Sequence, residues 1–213
     1  MPRVTRTSPV VLLIALVLAA ATLLTAPKAL AAPPAPPSLT TIRNELSAIP
    51  TKAETSSAGY SRDLFPHWST QSGTCNTRET VLKRDGVEVV TDAACAATSG
   101  SWYSVYDGAW NYAASDVDID HVVALAEAWT SGASSWTTSK RQQFANSLGD
   151  GQLIAVTDNV NSAKSDKDAA EWQPPRAAYH CTFAKHVVHV KYGWGLAMDS
   201  AEKSAISTML ATC

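Results

Sequence analysis

Four cysteines limit what this chain can fold into more than any other feature, because they indicate covalent cross-links between distant positions. They are Cys75, Cys95, Cys181 and Cys213. Four cysteines in an exported protein indicate two disulfides, and three pairings are possible. No two of them have the close spacing of a zinc site, which is the competing use. We favour the local pairs, Cys75–Cys95 and Cys181–Cys213, since each would fasten one flank of the chain.

The N-terminus predicts export. Arg3 and Arg6 precede an apolar run from Val10 to Leu24, and the segment ends in the small-residue sequence Ala29-Leu30-Ala31. These are the three parts of a secretory signal, whereas a membrane anchor needs about 20 continuous apolar residues. We therefore predict cleavage after Ala31 and an extracellular protein without a membrane segment. The predicted division is a signal peptide at residues 1–31, a Pro-rich spacer at 32–38 and one domain at 39–213.

The charge balance limits how the mature chain can meet nucleic acid. The whole sequence carries 17 basic and 19 acidic residues. Cleavage would remove Arg3, Arg6 and Lys28, so the mature balance is 14 − 19 = −5. This sign argues against a protein that holds nucleic acid through a large basic surface. It leaves room for an enzyme that keeps its positive charge inside a cleft.

Hydrophobic periodicity, capping residues and turn signals predict an alternation of helices and strands. Two predicted helices begin at Ser38 and at Asn76. A third spans Ser139–Leu148, and a fourth begins at Ser165 and ends before Pro174. The last two span Thr182–Val190 and Asp199–Leu210. The predicted strands and extended segments are residues 87–90, 101–106, 118–125 and 153–156. This order is typical of an α+β domain.

Two stretches carry the residues suited to chemistry. The extended apolar segment from Asp118 to Leu125 contains Asp120 and His121. An unpaired carboxylate among apolar residues is costly, so a cation or a hydrogen-bond network has to stabilise it. The second stretch runs from Asp158 to Asp168, between a predicted strand and the helix that we expect Ser165 to begin.

Together these stretches resemble the HNH nuclease family, most closely its branch that includes the C-terminal domain of GmrSD-type restriction enzymes and small secreted actinobacterial nucleases. The sequence from Asp120 to Leu125 resembles Asp-His-Ile/Val-Val-Pro-Leu, with Ala124 where proline is usual. Asn161 to Asp166 resembles Asn-x-x-Lys-Ser/Gly-Asp, and Glu171 to Pro175 resembles Glu-Trp-x-Pro-Pro. The resemblance is strongest over residues 116–176.

The resemblance implies a ββα-metal (HNH) core with flanking helices and a small disulfide-stapled β region. It implies His121 as the general base, since imidazole accepts a proton near neutral pH. It also implies Asp120 and Asn161 as ligands of a divalent cation, and such oxygen ligands favour Mg²⁺ or else Mn²⁺. Asp118 and Asn159 remain alternative ligands, although Asp118 is more simply explained as a surface aspartate and Asn159 can equally be a turn residue.

Several cations and histidines have two interpretations. Arg78 and Lys164 are candidate phosphate-binding residues, but Arg78 can equally pair with a helix end and Lys164 can be a solvated charge. His186 and His189 have a spacing able to hold zinc. Without a third ligand in view, we expect them to be ordinary histidines on a helix face.

The predicted function is a secreted, monomeric, metal-dependent endonuclease that hydrolyses phosphodiester bonds of DNA and/or RNA with low sequence selectivity. Two other classes account for less of the sequence. A secreted module with structural Ca²⁺ on the Asp-rich run explains the acids but not His121 or the downstream Asn-Lys motif. A metallopeptidase would need the string His-Glu-x-x-His, which does not occur in the sequence.

Overall fold

A computed structural model describes residues 1–2 and 32–213 of the chain. All but two residues of the predicted signal peptide lie outside this range, and its cleavage after Ala31 stays a prediction. The helices are α1 (Leu39–Ala48), α2 (Thr77–Asp85), α3 (Leu125–Thr130), α4 (Thr138–Ala145), α5 (Asp158–Lys164), α6 (His180–Trp194) and α7 (Ser200–Leu210). The strands are β1 (Thr70–Ser72), β2 (Cys75–Asn76), β3 (Gly86–Thr91), β4 (Ala97–Tyr103), β5 (Trp110–Asn111), β6 (Val117–His121) and β7 (Leu153–Thr157). The predicted α+β class is confirmed.

Side-chain caps begin three of the helices where the sequence predicted them. The Ser38 side chain accepts a hydrogen bond from a backbone N–H in the first turn of α1. Asn76 and Glu79 form a reciprocal capping box at the start of α2, and Asp199 accepts from the N–H of Glu202 at the start of α7. Each cap satisfies a donor that the helix itself leaves without a partner.

The strands form three small antiparallel sheets, with the orders β1-β2, β3-β4-β5 and β6-β7. In the third sheet, Val117 lies opposite Thr157 and His121 opposite Leu153. The extended segment that was predicted to reach Leu125 thus ends as a strand at His121. Residues 122–152 connect the two strands and contain α3 and α4, whereas α5 follows β7 without a loop. Two antiparallel strands are therefore followed directly by a helix.

Strand β7 lies between two hydrophobic cores, because successive side chains of a strand point to opposite faces. Ile154 and Val156 belong to the larger core, which the helices surround. Leu153 and Ala155 belong to a smaller core with residues of α2 and β4. Burial on both faces explains why the strand is apolar from Leu153 to Val156. No helix in the described part of the chain has the length and apolar character needed to cross a membrane.

Both predicted disulfides are confirmed. Cys75, in β2, pairs with Cys95, with the Cα atoms 5.1 Å apart. Cys181, in the first turn of α6, pairs with the C-terminal Cys213, with the Cα atoms 5.2 Å apart. One disulfide therefore lies on each side of the β6–β7–α5 unit along the chain.

The prediction that a helix begins at Ser165 is wrong. The helix begins at Asp158, and Ser165 is its C-cap, with a φ of 52°. Asp168, which the pattern placed inside the helix, accepts hydrogen bonds from the backbone N–H groups of Ala170 and Glu171 and stabilises a turn. The buried side chain of Lys164 anchors the last turn of α5 against β6. The Asn-x-x-Lys motif consequently lies on the helix rather than before it.

Candidate functional site

A polar cavity of about 310 Å³ lies where β6 faces α5. Its walls include Arg62, Asp120, His121, Asn161, Ser162 and Asp166. The pairing of β6 with β7 and the direct passage from β7 into α5 bring these parts of the sequence together. The cavity therefore gathers Asp120, His121 and Asn161, which the sequence placed in one site.

The imidazole of His121 is held in one tautomer at the cavity wall. Its Nε2 lies 2.9 Å from the carbonyl oxygen of Ala145, the last residue of α4. A carbonyl only accepts hydrogen bonds, so Nε2 carries the proton and Nδ1 keeps its lone pair. Burial lowers the pKa of His121 to about 3; the cations of Arg62 and Lys164 act in the same direction, and the bond to Ala145 opposes them. The ring of Trp68 lies against the imidazole, with centroids 5.7 Å apart.

Asp120 is buried, and both of its carboxylate oxygens accept hydrogen bonds. The Nζ of Lys164 donates to Oδ1 at 2.8 Å, and the hydroxyl of Tyr106 donates to Oδ2 at 2.5 Å. The same Nζ donates to the backbone carbonyl of His121 at 2.8 Å. Burial raises the pKa of Asp120, while Lys164 and Tyr106 oppose the rise by stabilising the charged form. Lys164 and Tyr106 thus supply the network that a buried carboxylate at this position requires.

The side-chain amide of Asn161 is oriented by a neighbouring carboxylate. Its Nδ2 donates to Oδ2 of Asp118 at 3.0 Å, so Oδ1 is the amide atom left to accept. Asn161 lines the cavity, whereas the exposed Asn159 does not. Of the two alternative metal ligands, Asp118 therefore orients Asn161 through a hydrogen bond, whereas Asn159 lies outside the cavity lining.

The two cations that were predicted to bind phosphate, Arg78 and Lys164, contact protein groups in the structure. The Nη2 of Arg78 donates to the backbone carbonyls of Ala114 and Val117, at 3.0 and 3.1 Å, and fixes the entry into β6. Arg78 is not among the residues that line the cavity. Lys164 is 1% exposed and lies beneath Asp120. These contacts account for both cations without a phosphate, and direct contact with substrate stays a prediction for each.

The structure adds residues that the sequence did not single out. Arg62 is exposed on the cavity wall, and its Nε donates to His67 at 3.4 Å. Tyr106 is fully buried and binds Asp120, and Trp68 covers His121. These partners are separated from the motif by loops and whole strands, so no local spacing pattern identifies them.

The histidine pair of α6 does not converge on one point. His186 is buried against Gly151, and its Nδ1 has no hydrogen-bond partner. The Nδ1 of His189 lies 3.2 Å from both carboxylate oxygens of Glu45. Within residues 32–213, neither histidine belongs to a group of three converging metal ligands. His186 is therefore buried in the fold, whereas the sequence predicted an ordinary histidine on a helix face.

These observations define an α+β protein, cross-linked by two disulfides, with an imidazole, a carboxylate and a carboxamide at one polar cavity. The family model of the GmrSD restriction endonucleases, C-terminal domain, matches residues 76–209, which is more than half of the chain. The chain belongs to this family, as the resemblance predicted.

One relative extends over nearly the whole chain. An uncharacterized secreted protein of Arthroderma benhamiae (strain ATCC MYA-4681 / CBS 112371) is 57% identical over 197 residues, covering 92% of this chain and 97% of the relative. Extracellular localisation, which the sequence predicted, is confirmed by this relative. No solved structure is significantly similar to the chain.

Proposed function

We propose that this protein is a secreted, metal-dependent HNH endonuclease that hydrolyses phosphodiester bonds of DNA and/or RNA. Membership of the GmrSD C-terminal domain family supports the nuclease class. The observation that carries the proposal is the tautomer of His121, whose Nε2 proton is bound to Ala145 while the residue lines a cavity with Asp120 and Asn161. In this proposal β6, β7 and α5 are the ββα-metal core.

The donor set fits a hard divalent cation, Mg²⁺ or Mn²⁺. Asp120 and Asn161 would hold it through oxygen atoms, the ligands that these ions prefer. Each carboxylate oxygen can accept more than one bond, so the bonds from Lys164 and Tyr106 leave Asp120 able to contact an ion. When bound, the cation would stabilise the negative charge that gathers on the phosphate and the leaving oxygen.

His121 accepts the proton of the attacking water at Nδ1. The bond from Nε2 to Ala145 fixes the ring plane and stabilises the imidazolium as the proton arrives. The low pKa belongs to the protein without substrate. A phosphate anion in the cavity raises the pKa of His121, because a nearby negative charge favours the protonated form.

Arg62 is the cation that we assign to the substrate phosphate. It lines the cavity from an exposed position, and a guanidinium offers two parallel N–H groups to one phosphate. Lys164 also positions Asp120, and Arg78 also holds the entry of β6; direct contact of either side chain with the phosphate stays a prediction. We propose that the enzyme works as a monomer and needs no basic recognition surface.

A metal-panel digest tests the proposal. Purified residues 32–213 are dialysed against a chelator and incubated with plasmid DNA, single-stranded DNA and RNA, each with Mg²⁺, Mn²⁺, Ca²⁺ or no metal. We expect cleavage that depends on Mg²⁺ or Mn²⁺ and is lost in His121→Ala. His189→Ala is the matched control, since it removes an imidazole that contacts Glu45 outside the cavity.

Two results would contradict the proposal. The first is a folded wild-type protein that cuts none of the three substrates with any metal. The second is cleavage that survives in folded His121→Ala to within a few-fold of the wild type.

A further inference from the structure

Aromatic side chains gather on one face of the β3-β4-β5 sheet. Tyr103 of β4 lies directly opposite Trp110 of β5, and their ring centroids are 5.4 Å apart. Trp110 is 40% exposed, and it is the one exposed tryptophan among residues 32–213. Tyr112 follows two residues later, the spacing at which an extended chain returns to the same face, and it is 72% exposed. We call Tyr103, Trp110 and Tyr112 the aromatic patch.

The opposite face of the same two strands faces the protein interior. Trp102, which lies opposite Asn111, is 1% exposed, and the Nδ2 of Asn111 donates to Oγ1 of Thr157 at 3.1 Å. Successive side chains of a strand alternate between its faces, so the aromatic patch points outward. In the described part of the chain three aromatic residues are exposed, and two of them, Trp110 and Tyr112, lie here. Single exposed apolar residues are ordinary, whereas a cluster of them marks an interaction surface.

A guanidinium lies beside the aromatic patch. The Cζ of Arg176 is 5.5 Å from the ring centroid of Tyr103. With the carboxylates of residues 32–213, Arg176 forms no ion pair. An arginine that stacks on a ring keeps its N–H groups for an anion, and the guanidinium binds phosphate with two parallel hydrogen bonds. The surface therefore offers flat rings and one positive charge to a ligand.

Two contacts join this surface to the candidate site. The backbone N–H of Arg176 donates to the carbonyl oxygen of Tyr106 at 2.8 Å, and the hydroxyl of Tyr106 binds Asp120. Asn111 of β5 binds Thr157, the N-cap of α5. Because β5 is an edge strand of its sheet, a chain-like ligand that follows it has the elements of the candidate site as neighbours.

The charge around the aromatic patch favours stacking over extensive phosphate contacts. Asp107 and Asp116 lie before and after β5 along the chain, and after the predicted cleavage the protein has 14 basic and 19 acidic residues. A nucleic acid duplex keeps the faces of its bases inside and is held largely through its phosphates, which needs a basic surface. A single strand exposes the faces of its bases, and these stack on aromatic rings. Of the two forms, the single strand therefore matches this surface.

We propose that the aromatic patch and Arg176 bind single-stranded nucleic acid and make it the preferred substrate class of this protein. The proposal rests on the endonuclease function proposed above. Trp110 and Tyr112 stack on unpaired bases, and the guanidinium of Arg176 binds a backbone phosphate. Stacking accepts every base, so this surface gives affinity without sequence selectivity.

Binding is measured by fluorescence anisotropy on the chelator-treated mature chain, so that metal-dependent cleavage does not consume the probe. The probes are oligo-dT, oligo-U and a mixed-sequence DNA duplex, each roughly 12 nucleotides long, within the usual site size of single-strand-binding surfaces. We expect at least one of the two single strands to bind more tightly than the duplex. Trp110→Ala and Tyr112→Ala should each weaken single-strand binding by about 5–150-fold, the usual contribution of one stacked base. Trp110→Phe keeps a ring and should retain most of the affinity.

Matched variants separate stacking from charge and from general loss of an aromatic residue. Tyr192→Ala removes an exposed tyrosine from α6 and should leave the affinity unchanged. Arg176→Gln should weaken binding and reduce the slope of log affinity against log salt concentration by about 0.7, the contribution of one phosphate contact in a single strand. Because Trp110 and Tyr112 are exposed, the unfolding midpoints of their variants should equal that of the wild type.

Three results would overturn the proposal. They are binding of the duplex as tightly as of both single strands, unchanged single-strand binding in folded Trp110→Ala and Tyr112→Ala, and binding of a neutral polysaccharide instead of the oligonucleotides. The anisotropy measurement requires no cleavage. A protein that binds single strands through the aromatic patch but cuts nothing in the metal-panel digest would refute the endonuclease and leave this binding surface standing, and a protein that cuts nucleic acid without using the patch would do the reverse.

Discussion

At the scale of single residues, the ion pair of Lys164 with Asp120 is buried at the wall of the candidate site. Both side chains are buried, with relative exposures of 1% and 5%. Removing one partner of a buried pair leaves an uncompensated charge in a low-dielectric environment. Lys164 therefore contributes to the stability of the fold as well as to the position of Asp120.

Replacing this lysine tests that role. Lys164→Met should lower the free energy of unfolding by about 3–5 kcal/mol. This corresponds to a fall of about 6–20 °C in the unfolding midpoint for a chain of this size. Lys167→Met is the matched control, because Lys167 is exposed and its Nζ binds a backbone carbonyl of α5. Equal midpoints for the two variants, measured by calorimetry, would show that Lys164 acts as a surface cation.

The low pKa of His121 makes a prediction about pH. Because burial lowers this pKa to about 3, Nδ1 stays unprotonated in the free protein throughout the range from pH 5 to 8. His121→Ala should reduce the cleavage rate by roughly 10²–10⁴-fold, the usual contribution of a positioned base. The same factor should be found at pH 5, 6, 7 and 8 in rates measured below substrate saturation. If the ratio of the wild-type rate to the variant rate falls toward pH 5 with a midpoint near pH 6.5, the base is not buried as described here.

At the scale of elements, helix α5 ends abruptly at the edge of the candidate site. Ser165 follows Lys164 with φ 52° and ψ −132°, a backbone conformation that favours glycine. Ser165 also lines the cavity. The sharp exit is what lets the chain leave the helix while Lys164 remains anchored to β6.

Glycine substitutions measure the strain at this exit. Ser165→Gly should raise the free energy of unfolding by about 1 kcal/mol, because glycine adopts this conformation without a steric cost. Ser162→Gly, in the interior of the same helix, should instead lower it by about 0.5–1 kcal/mol. Denaturant unfolding of the two variants gives the comparison. Loss of stability in both would mean that Ser165 carries no strain.

How far the sequence predicts each element depends on whether its signal is local. Caps such as Asn76 with Glu79 are encoded within one helical turn, and their prediction is confirmed. The prediction that a helix begins at Ser165 is wrong. Serine is a common N-cap, but here the helix precedes Ser165, because the buried Lys164 belongs to its last turn. The bond of Tyr106 to Asp120 joins the turn between β4 and β5 to β6, so no pattern within one element reveals it.

At the scale of the whole molecule, buried histidines make the fold sensitive to acid. Burial lowers the pKa of His186 to about 4 and that of His121 to about 3. In the unfolded chain a histidine binds its proton near pH 6.5. Below that pH the unfolded state holds more protons than the folded state, so stability is full above pH 6.5 and falls toward the lower pKa values.

The contribution of His186 can be isolated by removing its charge. His186→Phe keeps a ring against Gly151 and removes the unpartnered Nδ1. Between pH 6 and 4.5 the free energy of unfolding of the variant should fall less steeply than that of the wild type, by about 1.4 kcal/mol for each pH unit. Between pH 7 and 8 the two slopes should agree. Parallel curves over the acid range would show that His186 is protonated equally in both states.

The long connection between β6 and β7 has a consequence for survival among extracellular proteases. Cys75 pairs with Cys95 before β6, and Cys181 pairs with Cys213 after α5, so neither disulfide spans residues 122–152. Exposed side chains occur in this connection, for example at residues 134–135 and 137–139. One peptide-bond cut there would leave two pieces without a covalent link, with His121 on one and Asn161 on the other. We therefore expect the lifetime of the intact site outside the cell to depend on how rarely α3 and α4 unfold locally and expose the connection to proteases.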